Sequence, residues 1–124
     1  MDASFYLKAE KITEKDRRYK ADAYEFVMKG LFYTQKKLKK RGHVTGKELA
    51  EGLKDFALEE FGGMARTVLS HWGINETGDF GEIVYNMIEE NLLNKTESDS
   101  KEDFKDIYNF KEAFETGYKI NLEK

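Results

Sequence analysis

The chain has 124 residues, 40% of them apolar, and a formal net charge of −3 at pH 7. That length suits one domain with its own core, and nine Phe, seven Tyr and one Trp give the core ample material. The absence of Cys excludes disulfides, thiolate metal sites and cysteine nucleophiles.

Pro is absent too, so Gly42, Gly62–Gly63, Gly73 and Gly78 supply the breaks between elements. No apolar run approaches the roughly 18 residues of a membrane helix. The opening "MDASFYLKAEKITEK" lacks the apolar stretch and cleavage site of a secretory signal. A cytoplasmic protein without membrane contact is expected. Charge is uneven: residues 1–63 carry a net +3 and residues 64–124 a net −6.

After Ser4, "FYLKAEKITEK" predicts a short helix with Phe5, Ala9 and Ile12 on one side, broken by "DRRYKAD". A longer helix is expected from Asp22, as N-cap, to about Lys40. Its stripe is Tyr24, Val27, Met28, Leu31 and Leu38. Phe26 and Tyr33 lie off that stripe, which predicts a central helix packed on two sides. Thr45 and Glu48 have capping-box spacing before a third helix whose stripe is Leu49, Leu53, Phe56, Ala57 and Phe61. Gly62–Gly63 ends it. "MARTVLSHW" reads as a fourth helix with Met64, Val68, Leu69 and Trp72 inward, stopped by Gly73.

The fifth helix is expected to open at Asp79, with Glu82 three residues on, and to bury Phe80, Ile83, Val84, Met87 and Ile88 on the way to Leu92. Beyond it, the alternation of Phe104, Ile107/Tyr108 and Phe110 predicts a β-hairpin, or one strand with a loop, followed by a helical turn or two capped by Asn109. The expected architecture is mainly α: a compact bundle of about five helices with a small C-terminal β-hairpin. It forms one domain: an N-terminal helix and loop (1–20), a helical core (21–92), and a hairpin with the C-terminal segment (93–124).

Residue types that carry chemistry are few. His43 and His71 lack metal-binding spacing, "GDFGEIV" lacks the P-loop pattern, and the acidic "NKTESDSKEDFKD" lacks the glycine of a calcium loop. No catalytic set, metal or cofactor is expected. Lys36, Lys37, Lys39, Lys40 and Arg41 crowd one helix end, where cations favour the negative pole of the helix. With Arg17 and Arg18 they are also the candidate contacts for an anion or nucleic acid, although a pI near 5.5 argues against that partner class. His71 and Trp72 are candidates for a pocket between helices.

The phrases "DRRYKADAYEFVMKGLFYTQKKL", "GHVTGKELAEGLKDFALEEFGGMARTVLSHWGI" and "DFGEIVYNMIEENLLNKTESDSKEDFKDIYNFKEAF" resemble a small bacterial family of single-domain proteins to which no activity is assigned. The resemblance spans roughly residues 12–115 and implies a bacterial cytoplasmic protein. It carries over no catalytic residue. The order of elements is also similar to a winged-helix domain. There, however, the segment 79–92 in the place of the recognition helix carries Asp79, Glu82, Glu89 and Glu90 and no Lys or Arg, a poor match for phosphate. The leading expectation is a non-enzymatic domain that binds a protein partner or itself. Nucleic-acid binding through residues 36–41 is the alternative.

Overall fold

Asp2 starts the first helix by accepting the backbone N–H of Phe5 at 3.0 Å. That helix, α1 (Ala3–Lys15), buries Phe5, Ala9 and Ile12, the face its spacing predicted. The structure is a computed structural model that describes residues 2–94 and 100–116.

Helix α2 (Ala21–Leu38) begins after Lys20, so Asp22 lies in its first turn rather than capping it. A carboxylate there still faces the positive helix pole. The helix stops two residues before Lys40. Lys39 adopts a left-handed conformation (φ 58°), and the Lys40 N–H closes onto the Gln35 carbonyl at 2.9 Å. This unwinding leaves Leu38 41% exposed, outside the stripe to which its spacing assigned it.

Helix α3 (Gly46–Phe61) begins with a full capping box: Thr45 Oγ1 accepts the Glu48 N–H at 3.0 Å, and Glu48 accepts the Thr45 N–H at 2.9 Å. It ends at Gly62 with φ 53°. A 3₁₀ turn, Gly62–Met64, precedes α4 (Ala65–His71). Met64 sits in that turn and is 57% exposed, not inward. Helix α5 (Thr77–Glu89) starts earlier than expected: the Asp79 carboxylate, expected to be the cap itself, sits at N3 and accepts the backbone N–H groups of Asn75 (2.8 Å) and Glu76 (3.1 Å).

Helix α2 is central, packing on α1, α3 and α5. Tyr24 and Val27 are fully buried and Phe26 nearly so, which accounts for two packed sides. On α5, Phe80, Ile83 and Met87 have no exposed surface. Each such side chain contributes roughly 1.5–3 kcal/mol relative to exposure. No helix among the described residues is long and apolar enough to cross a membrane.

The expected C-terminal β-hairpin is not there. No strand occurs among the described residues, and with the hairpin goes the likeness to a winged helix. Part of that expectation, residues 95–99 and 117–124, lies outside the described residues. Lys101–Phe104 is instead a 3₁₀ turn, in which Ser100 donates its N–H to Asp103 at 2.9 Å. Asp, Glu and Lys are poor strand formers, and here the Ser100 and Asp103 side chains take up each other's backbone N–H groups. The apolar alternation serves ring packing. Phe104 seats against Gly46 and Gly81, where an added Cβ would approach its ring to 3.3 Å and 3.0 Å respectively, and Phe110 packs on Phe114 with centroids 4.9 Å apart. Asn109 does cap the following turn, a π turn at Glu112–Thr116, by accepting the Glu112 N–H at 3.2 Å.

The loop joining α1 to α2 is locked onto α5. Arg18 grips Asp16 with both Nε and Nη2 (3.0 and 2.7 Å) and reaches Glu82 at 3.1 Å. Asn86 donates to Asp16 at 2.9 Å and to the Tyr24 hydroxyl at 3.0 Å. Tyr19, 2% exposed, donates its hydroxyl to Asp79 at 2.5 Å. The Arg18 guanidinium, helped by Asn86 and opposed by burial, holds the Asp16 carboxyl well below its ordinary value.

The unfolded chain therefore takes up this proton before the folded one does. The stabilisation is complete well above an unfolded pKa of about 3.9 and is lost as pH falls below it. Asp16→Asn is expected to cost about 2 kcal/mol at pH 7, a figure discounted because Arg18 is half exposed. In urea unfolding, the gap between wild type and variant should close steadily from pH 4 to pH 2. A gap of constant size across that range would rule out the charged pair as its source.

Candidate functional site

The cations singled out in the sequence do not form one surface. Arg17 and Arg18 lie before α2, while Lys36 to Arg41 lie at its far end, about 27 Å away along an 18-residue helix. Arg18 is committed to Asp16 and Glu82; Arg17 is exposed. Lys37 pairs with Asp55 at 2.7 Å, which raises its pKa, and lies over the Tyr33 ring. Lys40 pairs with Glu48 at 2.8 Å, so the capping carboxylate serves two purposes. Lys36, Lys39 and Arg41 are exposed and make no ion pair with a described residue.

His71 and Trp72 part company. His71 is exposed, with Nε2 3.2 Å from Lys20 Nζ, and it stays outside the pocket that Trp72 lines. His43 borders a different cavity. No group of three or more His, Asp or Glu able to hold a metal occurs among the described residues.

Trp72 closes an aromatic pocket of about 270 Å³. Phe26 lies 5.4 Å from Phe56 and 5.7 Å from Trp72, and Phe61 lies 5.7 Å from Trp72, all between ring centroids. Phe26 is 4% exposed and forms the floor; the other three rings are half-buried walls. Asp22, Glu25 and Lys29 share one face of α2 at the rim, and Glu60 of α3 stands opposite. Glu25 is already engaged: the Tyr6 hydroxyl and then Lys29, at 3.1 Å, hold its carboxyl below its ordinary value against the effect of burial. Asp22 and Glu60 make no ion pair with a described residue. Their two charges face a concave aromatic surface.

A second cavity, of about 350 Å³, opens at the other end of α2. Its wall is mainly apolar, from Leu31, Val44, Leu49, Val84, Ile88 and Leu93, and shares no residue with the Trp72 pocket. Gln35 borders it and donates to the Gly42 carbonyl at 2.8 Å, fixing the turn at its edge.

The tyrosines with the most perturbed acidity serve structure. Burial, with Asp79 adding to it, pushes Tyr19 far up, so its hydroxyl stays protonated and donates. Burial likewise raises Tyr108, whose hydroxyl donates to the Ala50 carbonyl at 2.6 Å. Neither is a base or nucleophile near neutral pH.

Of the two concavities, the sequence pointed to a member of the first only, Trp72; none of Lys36 to Arg41 lines the second. The rest come from helices far apart in sequence. Only the off-stripe position of Phe26 hinted at a second packed face. Comparison of the chain with protein-family models, with curated proteins and with solved structures gives no match.

Proposed function

We propose that the protein is a partner-binding domain of a reducing, cytoplasmic compartment, and that it captures a Lys or Arg side chain from a basic protein segment in the Trp72 pocket. The observation that carries this reading is two carboxylates, Asp22 and Glu60, at the rim of a four-ring pocket and without an ion pair to a described residue. Aromatic faces attract cations, by roughly 0.5–2 kcal/mol depending on desolvation. A long basic side chain lays its methylene stem on such rings and offers its charge to the rim. The groups present recognise a cation; they do not make or break bonds. The lack of Cys fits a reducing compartment.

Trp72 is the sole Trp, so its fluorescence reports this pocket alone. A short peptide bearing one Arg among Gly and Ser is expected to change that fluorescence saturably, and the same peptide with Gln in place of Arg to bind far more weakly. Asp22→Asn with Glu60→Gln should weaken binding about tenfold, equivalent to about 1.4 kcal/mol. Equal binding of the Arg and Gln peptides, or an unaffected double variant, would overturn the reading.

A further inference from the structure

We infer that the cavity at the C-terminal end of α2 binds a small amphipathic anion, with an apolar body inside and a carboxylate or phosphate head at Lys39 and Arg41. Several independent features converge on that ligand class. The volume, about 350 Å³, falls within the range of roughly 300–1,000 Å³ seen for small-molecule sites. Leu31, Val84, Ile88 and Leu93 remain partly exposed inside the concavity although Leu31, Val84 and Leu93 pack against the core, so an apolar occupant completes their burial. Among the described residues, no Asp or Glu lines it.

Charge at the edge supplies the polarity of the head. Gln35 and Gly42 both border the cavity, and the cationic segment 36–41, the end of α2 and the turn after it, joins them. Within that segment Lys37 and Lys40 are neutralised by Asp55 and Glu48. Lys39 and Arg41 are not: both are exposed, and neither makes an ion pair with a described residue. The left-handed backbone at Lys39 and the Gln35–Gly42 hydrogen bond shape this segment, which keeps Lys39 and Arg41 within a few residues of the two that border the cavity. A nucleic acid fits less well. It needs a run of cations along a surface, whereas two cations without an ion pair to a described residue, next to an apolar hole, suit one anionic head.

The test is an NMR titration of the full chain with hexanoate, octanoate and decanoate, with decanol and a mixed-sequence DNA duplex as comparisons. Affinity should rise about fourfold for each added methylene that stays inside. Amide shifts should cluster at Val44, Leu49, Val84 and Ile88, and Trp72 fluorescence should not respond, which separates this site from the partner pocket. Decanol should bind about tenfold more weakly than decanoate. Lys39→Asn with Arg41→Gln should erase that difference; both positions are exposed, and Asn tolerates the left-handed backbone.

Val84→Trp, which fills the cavity, should abolish binding. If that variant fails to fold, the chain-length series still decides. A flat chain-length series, equal binding of decanol, or shifts mapping elsewhere would overturn the inference. So would binding of the DNA, or sedimentation with phosphatidylglycerol vesicles, in the absence of decanoate binding.

Discussion

Gly73→Ala is expected to destabilise the protein by about 3 kcal/mol or more, lowering the melting temperature by roughly 10 °C for a chain of this size. Two costs combine. Gly73 has φ +96°, a backbone conformation that side-chain-bearing residues rarely adopt. A Cβ there would also drive into the Arg18 carbonyl oxygen, with the Arg18 carbonyl carbon only 3.1 Å away. Backbone cannot swing aside as a flexible side chain can. The contact lies where the loop before α2 docks on the turn after α4, also held by the Lys20 N–H on the Trp72 carbonyl at 3.2 Å. Gly42→Ala is the control: a Cβ there meets no described residue within 4 Å, so its cost should stay within about 0.5 kcal/mol. Urea unfolding of both variants at pH 7 decides it; similar losses would mean that Gly73 acts through chain entropy alone.

This contact shows which part of the fold was legible in the sequence. A glycine after "SHW" signals that a helix stops, and α4 does stop there. It does not signal which backbone will lie against it, because Arg18 is 55 residues earlier. The same division recurs elsewhere. The capping box at Thr45 and Glu48 is local, since both partners lie within one turn, and it formed as expected. For α5, Asp79 with Glu82 and Glu76 with Asp79 have the same spacing. The tie is broken by Tyr19, which holds Asp79 from another element. In the C-terminal segment, alternating rings suggested a strand because periodicity says nothing of whether Phe104 will meet a sheet neighbour or the bare backbone of Gly46 and Gly81.

The candidate sites follow that rule more strictly. A cationic helix end is visible in a sequence, but which of its charges are neutralised depends on α3. Asp55 and Glu48 remove two of the five, and the three left over define an edge rather than a stripe. The aromatic pocket needs α2, α3 and the end of α4 together. Helix spacing alone reads its rings as ordinary core.

Gly52→Val is expected to cost about 4 kcal/mol, and Gly52→Ala about half as much, because α2 and α3 cross there with no room for a side chain. A Cβ on Gly52 would collide with Thr34 Oγ1 and come within 2.8 Å of Thr34 Cβ and Cγ2. One turn along, a Cβ on Gly30 would collide with Leu53. Thr34 is 2% exposed, and its hydroxyl donates to the Gly30 carbonyl at 2.7 Å, so the side chain cannot rotate away without losing that bond. Ala ordinarily improves a helix over Gly by about 1 kcal/mol; a net loss at Gly52 therefore isolates the steric term. Thr34→Ala removes the hydroxyl and one methyl, and combined with Gly52→Ala it should recover about 1 kcal/mol relative to the sum of the single losses. Losses that add to within about 0.3 kcal/mol would mean that the helices move apart instead of pressing on Thr34. That displacement would shift Phe56 and Glu60 on α3 away from Phe26 on α2, so a peptide titration of the same variants would lose the Trp72 signal in step with stability. Retained binding in a destabilised Gly52→Ala chain places the strain at the crossing and leaves the pocket intact.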